Sequence, residues 1–306
     1  MSAQTFELFI LGSSAATPTA NRNPTSQLLN IAERFFLIDC GEGTQMQLRK
    51  YKARFQSINH IFISHLHGDH FYGLPGFLAT MHLLGRKNEL TIYGPKELEE
   101  IISMIHKHSD TYLNYEVKFF HTQNKNKQLI FEDEKVEVYS FPLKHRIATT
   151  GYLFKEKPLP RNIDKYKLEK LNVSFAEIHK LKQGLDAIDN DGNKIENKQL
   201  TIDPPKTRSY AFCSDTKFFE ELATDIKDVD LLYHESTFLE DKKDRAKATF
   251  HSTAKQAAQM AMLSNAQKLI LGHFSARYGN LDDFLVEAKS LFSNSELAIE
   301  GNLFSL

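Results

Sequence analysis

Cysteine is scarce: only Cys40 and Cys213 occur among the 306 residues, too few for a disulfide-rich scaffold. Long apolar runs are missing, and none approaches the roughly 18 residues of a membrane-spanning helix. The opening MSAQTFELFILGSS has no basic n-region, and Glu7 interrupts its short apolar stretch. No signal peptide is expected; the chain reads as cytosolic, with free thiols and no membrane attachment. An excess of one charge is missing as well. Lys plus Arg number 38 against 39 for Asp plus Glu, a formal net charge of -1. That excludes a whole-surface electrostatic grip on nucleic acid and leaves only a local patch. No fixed-period repeat is visible. What remains is ordinary: 41% hydrophobic and 25% charged residues, a soluble globular composition that excludes wholesale disorder. At about 150 residues per domain, the length allows one large domain or two small ones, with a sizeable core.

Along the chain, strand and helix patterns alternate. TFELFIL reads as a strand, SSAATPTANRNPTS as a loop, and SQLLNIAERFFLIDCGEG as two strands around a turn near Glu33. TQMQLRKY begins a helix with Thr44 as N-cap. HIFISH reads as a buried strand, followed by a helix over Leu74–Leu84. KELEEIISMIHKH places Leu98, Ile101, Ile102 and Ile105 at helical spacing. The middle differs. Lys155–Lys182 carries eight Lys/Arg and four Asp/Glu, and Lys155–Gln199 reads as an inserted polar arm with short helices and a hairpin turn at DNDGNKI. After Pro204-Pro205, RSYAFCSD, VDLLYHES and KLILGHF read as strands. STAKQAAQMAMLSN, N-capped by Ser252, and LDDFLVEAKSLF read as helices. Such alternation predicts an α/β layered protein.

The strongest chemical signal is SHLHGDH, Ser64–His70, directly after a strand. Alternate residues of an extended segment share a face, so His65, His67 and Asp69 can converge, and His70 adds an imidazole as the chain bends. Imidazole nitrogen and carboxylate oxygen suit zinc. Burying this cluster without a metal would be costly. Four such residues exceed what one catalytic zinc draws from a short segment, so two metals are expected. His145, Asp215 and His273 also stand where apolar strands end, the place where sites gather in α/β sheets. A carboxylate has two oxygens, so Asp215 could bridge. His60, His82, His106, His108, His121 and His179 read as structural.

These residues carry a resemblance. SHLHGDH resembles the HxHxDH signature of the metallo-β-lactamase superfamily. HLHGDHFYGLPGFL is similar to the signature of the ribonuclease Z family, tRNA 3′-processing endonucleases. LGSSAATPTANRNPTS, DCGEGTQMQL, PPKTR, FCSDT, HESTF, FHSTAKQAA and LGHFSARY resemble that family's further motifs in order. The resemblance implies an αβ/βα four-layer sandwich, one domain over residues 1–306 with a flexible exosite arm inserted at about 155–199. It implies two Zn²⁺ per subunit, one held by His65, His67 and His145 and the other by Asp69, His70 and His273, with Asp215 bridging. His251 matches the histidine near the scissile phosphate, and Glu235 lies in a motif associated with orienting it.

The implied reaction is zinc-dependent cleavage of precursor tRNA after the discriminator nucleotide by a metal-bridging hydroxide. It leaves a 3′-hydroxyl on the tRNA and a 5′-phosphate on the trailer. Asp69 accepts or orients the water's proton, and His251 stabilises the phosphate or protonates the departing oxygen. Lys165, Lys167, Lys170, Lys180 and Lys182 give the arm a cationic patch for RNA phosphates. Arg22, Lys206 and Arg208 are candidates for phosphates near the cut, with a loop tie as the structural reading. Family members are generally homodimers, and a homodimer in the cytoplasm is expected. The alternative is a small-molecule phosphodiesterase or another binuclear zinc hydrolase of this fold. A flavodiiron oxidoreductase would need a carboxylate at His67 and a flavin domain, and an RNA-binding module without activity would have lost ligands.

Overall fold

The computed structural model describes residues 4–169 and 173–306. Lys170 lies outside the described residues. By its internal contacts the chain divides into a large unit, Gln4–Lys155 with Arg208–Leu306, and a small one, Glu156–Thr207.

The large unit holds two seven-stranded sheets. The first runs in the order Leu303–Ser305, Phe6–Gly12, Ser26–Ile31, Arg34–Cys40, Ile58–Phe62, Leu90–Gly94, Val117–His121. Its first three neighbour pairs are antiparallel and the last three parallel. The second runs Ser295–Leu297, Lys268–Gly272, Leu231–Glu235, Ser209–Cys213, Thr149–Glu156, Val136–Leu143, Gln128–Glu132. Strand side chains alternate between faces, and the cores follow that period. In Arg34–Cys40, Phe36 and Ile38 enter the core shared by the two sheets, whereas Phe35 and Leu37 face the opposite way. In Ser209–Cys213, Tyr210 and Phe212 enter the shared core, and Ala211 and Cys213 face a separate one. Fully buried aromatics fill the shared core, each worth roughly 1.5–3 kcal/mol of apolar burial. Helices cover both outer faces. Thr44–Lys50, Leu74–Leu83 and Glu97–His108 lie over the first sheet, and Ala254–Leu263 and Asp282–Lys289 over the second. Helix, sheet, sheet and helix make four layers.

Two helix starts differ from expectation. Gly43, in the left-handed region at φ 82°, stands at the N-cap where Thr44 was expected, and Thr44 is the first helical residue. Thr253, not Ser252, caps Ala254–Leu263 in a reciprocal box with Gln256. The Ser252 hydroxyl instead donates to the Thr216 carbonyl at 2.7 Å. A tertiary partner holds the Ser252 hydroxyl, and the Thr44 hydroxyl turns back to the Gly41 carbonyl at 2.7 Å, so neither caps its helix. The helix Glu97–His108 buries Leu98 and Ile102 but leaves Ile105 exposed, so its buried stripe is narrower than the spacing suggests.

The small unit has its own core of Leu181, Ala187, Ile195 and Leu200. Asn162–Ile163 pairs with Thr201–Ile202, and Ala187–Ile188 with Lys194–Ile195. In the second hairpin, Asp189 Oδ1 accepts from the Asp191 and Asn193 amides, and Gly192 sits at φ 88°. Ser174 caps the helix Phe175–Lys182, and Asp164 caps the single turn Lys165–Leu168. Among the described residues, no helix is long and apolar enough to cross a membrane.

Candidate metal centre

Strand ends of both sheets deliver the chemistry. The segment after Ile58–Phe62 brings His65, His67, Asp69 and His70. It is docked across the layers: the Thr150 amide donates to the Ser64 carbonyl at 3.0 Å, and the Tyr152 hydroxyl to the Ile63 carbonyl at 2.7 Å. His145 follows Val136–Leu143, Asp215 follows Ser209–Cys213, and His273 follows Lys268–Gly272 in the left-handed region at φ 58°. Such a φ is uncommon outside glycine and costs free energy; here it turns the His273 ring toward Asp215.

Seven side chains meet as two groups sharing Asp215. In the first, His67 Nδ1 lies 3.0 Å from His65 Nε2 and 3.3 Å from His145 Nε2. Asp215 Oδ2 lies 3.6 and 3.7 Å from those two Nε2 atoms. In the second, Asp69 Oδ2 is 3.3 Å from both His70 Nε2 and His273 Nε2, and Asp215 Oδ1 is 3.3 and 3.0 Å from the same atoms. A tetrahedral ion with bonds of about 2.0–2.1 Å needs ligand–ligand edges of about 3.3–3.4 Å. Both groups have that size, so each could hold one metal ion. His70 Nε2 and Asp215 Oδ1 are buried without a hydrogen-bond partner, an arrangement that a cation between them would relieve.

The electrostatics agree with ligation. Burial, with His70 close by, pushes the His65 imidazole down to about 4, and burial takes His145 down to about 4 and lowers His67. Neutral imidazole is the ligating form. Burial opposes the charges of Asp69 and Asp215, but the surrounding histidines hold both well below the usual carboxylate range. The Ala16 amide, at φ 61°, donates to Asp69 Oδ2 at 2.7 Å. His145 Nδ1 donates to the Phe250 carbonyl at 2.9 Å.

Beside the ligands stands His251, its ring centroid 5.0 Å from that of His145 and 5.5 Å from that of His273. Its Nδ1 lies 2.8 Å from Glu235 Oε1. Burial lowers its affinity for a proton, yet the Glu235 carboxylate outweighs this and pushes it up to about 9. His251, His67, Asp69, Asp215 and His273 line an open cleft of about 570 Å³.

Two of the expected phosphate contacts, Arg22 and Arg208, are held by backbone carbonyls. Arg22 donates to the Ser275 and Tyr278 carbonyls, and Arg208 to those of Leu306 and Gln4. Both guanidinium groups tie loops or chain ends, and neither lines the cleft. Lys206 lies in the small unit, as do Lys165, Lys167, Lys180 and Lys182. Lys165 and Lys182 line a cavity there, Lys167 pairs with Asp164, and Lys180 pairs with Glu177. The cations on the cleft wall are Arg146, Arg245 and Arg277, all exposed. Sequence reading passed over them, although Arg146 follows His145 directly and Arg277 stands four residues after His273. Asp39 was missed too. It is wholly buried, at φ 54°, with Oδ2 2.7 Å from His70 Nδ1. Of the histidines read as structural, His60 packs among Tyr93 and Phe131, and His121 pairs with Glu99.

Helix-covered paired sheets with this centre at their strand ends define a metallo-β-lactamase fold. The Bacillus subtilis metallo-β-lactamase fold protein YhfI matches with a TM-score of 0.70 at 17% identity, over 99% of this chain and all of its own. A family model described as anti-Pycsar protein Apyc1 matches residues 6–157. Similarity narrows further. Ribonuclease Z of Cytophaga hutchinsonii is 50% identical over 98% of this chain and 96% of its own length. Human tRNase Z, short form, is 28% identical with a TM-score of 0.71, over 98% of each chain. The chain belongs to the ribonuclease Z family, and it is an enzyme of the hydrolase class.

Proposed function

We propose that this chain is a zinc-dependent endoribonuclease that removes the 3′ trailer of precursor tRNA after the discriminator nucleotide. It leaves a 3′-hydroxyl on the tRNA and a 5′-phosphate on the trailer. One observation carries the reading: two tetrahedron-sized ligand groups share Asp215, and a carboxylate-backed histidine stands beside them, in a chain of the ribonuclease Z family.

His65, His67 and His145 would hold one zinc, Asp69, His70 and His273 the other, and Asp215 would link them. When bound, such a pair supplies Lewis acidity toward the phosphate and lowers the pKa of water near it. Asp69, kept ionised beside one zinc, orients the attacking water or accepts its proton. His251 Nδ1 faces Glu235, which leaves Nε2 for the cleft. Protonated, it donates there to the phosphate or to the ribose 3′-oxygen as the P–O bond breaks, a general-acid role. Arg146, Arg245 and Arg277 hold backbone phosphates on either side of the cut. We assign the small unit to the tRNA elbow, where backbone shape and charge are read, and the active form to a cytoplasmic homodimer.

A precursor tRNA labelled at its 5′ end and incubated with the purified protein tests the reading. One chelator-sensitive cut at the discriminator is expected. Intact RNA beside rapid hydrolysis of a small diester would favour the alternative, a small-molecule phosphodiesterase or other binuclear hydrolase of this fold.

A further inference from the structure

Two wholly buried carboxylates stand behind the centre, and each reaches two imidazoles. Asp39 Oδ2 lies 2.7 Å from His70 Nδ1. The Ser64 hydroxyl lies 2.9 Å from that same oxygen and 3.0 Å from His65 Nδ1. Glu235 repeats the pattern. Its Oε1 lies 2.8 Å from His251 Nδ1. The Thr237 hydroxyl lies 2.7 Å from Glu235 Oε2 and 2.9 Å from His273 Nδ1.

Proton counting fixes the direction of these bonds. A hydroxyl has one proton to give and two lone pairs; an ionised carboxylate only accepts. Each hydroxyl therefore donates to its carboxylate and accepts from its imidazole. The reverse would leave two oxygens in contact with no proton between them. His65 and His273 must then carry their protons on Nδ1. Their Nε2 lone pairs then face Asp215 oxygens 3.6 Å and 3.0 Å away, acceptor-to-acceptor contacts that a cation between them would satisfy. The second lone pair of Ser64 takes the Ser214 hydroxyl at 3.1 Å. The Thr237 amide donates to Glu235 Oε2 at 3.0 Å, which anchors that side of the carboxylate.

We propose that Ser64 and Thr237 are a matched pair of positioning residues, each hydroxyl extending one buried carboxylate to a second imidazole. Asp39 thereby sets a ligand of each half-site, His70 directly and His65 through Ser64. Glu235 sets the acid His251 directly and the ligand His273 through Thr237. The inference rests on the reading that the seven residues hold two metal ions.

The test has two readouts besides turnover. Protein stripped by chelator is titrated with zinc against a coloured competitor, and long-range proton–nitrogen spectra report the tautomer of each histidine. Wild type should take two zinc ions; a different stoichiometry would end the two-metal reading itself. Ser64→Ala should weaken one site by about 10–100-fold and Thr237→Val the other, the usual range for such outer partners. Ser64→Thr and Thr237→Ser should restore them. Each disabled variant should lose the Nδ1–H form of one histidine only, His65 or His273. Folded variants with wild-type affinities and tautomers would overturn the proposal. Should a variant fail to fold, the zinc-loaded wild type decides, because an Nε2–H form at His65 or His273 there would mean ligation through Nδ1 and contradict the proton count.

Discussion

Replacing Glu235 with Gln keeps the shape of the side chain and removes a charge 2.8 Å from His251 Nδ1. Burial disfavours the imidazolium, and the carboxylate outweighs that, carrying the group from its ordinary 6.5 to about 9. The difference of about 2.5 units corresponds to about 3 kcal/mol between the protonation states. Without the carboxylate, burial meets only the weaker fields of Asp215 and Asp69, so the pKa should fall by about two units or more. A general acid must be protonated, so rate falls as pH rises through its pKa. The alkaline limb of kcat/KM on precursor tRNA should therefore move down by about two units in Glu235→Gln. The loss should be about tenfold or more at pH 8 and small near pH 6. Zinc charge acts on both enzymes alike, so the displacement of the limb is the quantity to measure. An unmoved limb, or an equal loss at every pH, would refute the donor role of His251.

Three further outcomes follow from the geometry. A Cβ at Gly12 would lie 1.8 Å from the Pro24 carbonyl oxygen, a backbone atom that cannot swing aside. Gly12→Ala should cost about 1–3 kcal/mol and lower Tm by several degrees, read by calorimetry, and an unchanged Tm contradicts the packing. Burial pushes the Cys40 thiol up to about 12 and raises that of Cys213 as well. A maleimide should leave both untouched in native protein and label both in denaturant; rapid native labelling would show that the outer cores open. Replacing residues 160–203 with a short linker should raise KM for precursor tRNA and flatten its salt dependence while sparing a small diester. Equal loss on both substrates would make the small unit structural.

The layered fold was legible because apolar alternation survives in strands packed on both faces, as in Arg34–Cys40 and Ser209–Cys213. SHLHGDH was legible because its ligands are neighbours in the chain. The resemblance paired Glu235 with His251, but the hydroxyl links were not legible: Thr237 reaches His273 across 36 residues, and Ser64 reaches Asp39 across 25. Their types alone do not reveal the pairing. Arg22 shows the limit for charge. Its partners are carbonyls more than 250 positions away, so a tie between distant loops looks like a free cation in the sequence. Arg146 and Arg277 could have been found by asking which cations flank the ligand positions, since loops at strand ends share one cleft.

Two ions held by seven residues around Asp215 should make one cleavage centre. This is tested most directly by returning zinc stepwise to chelator-stripped protein while bound metal and precursor-tRNA cleavage are followed together. Cleavage at the discriminator should stay near zero through the first equivalent and rise with the second. Full cleavage at one equivalent, or two bound equivalents with no cleavage, would contradict the account.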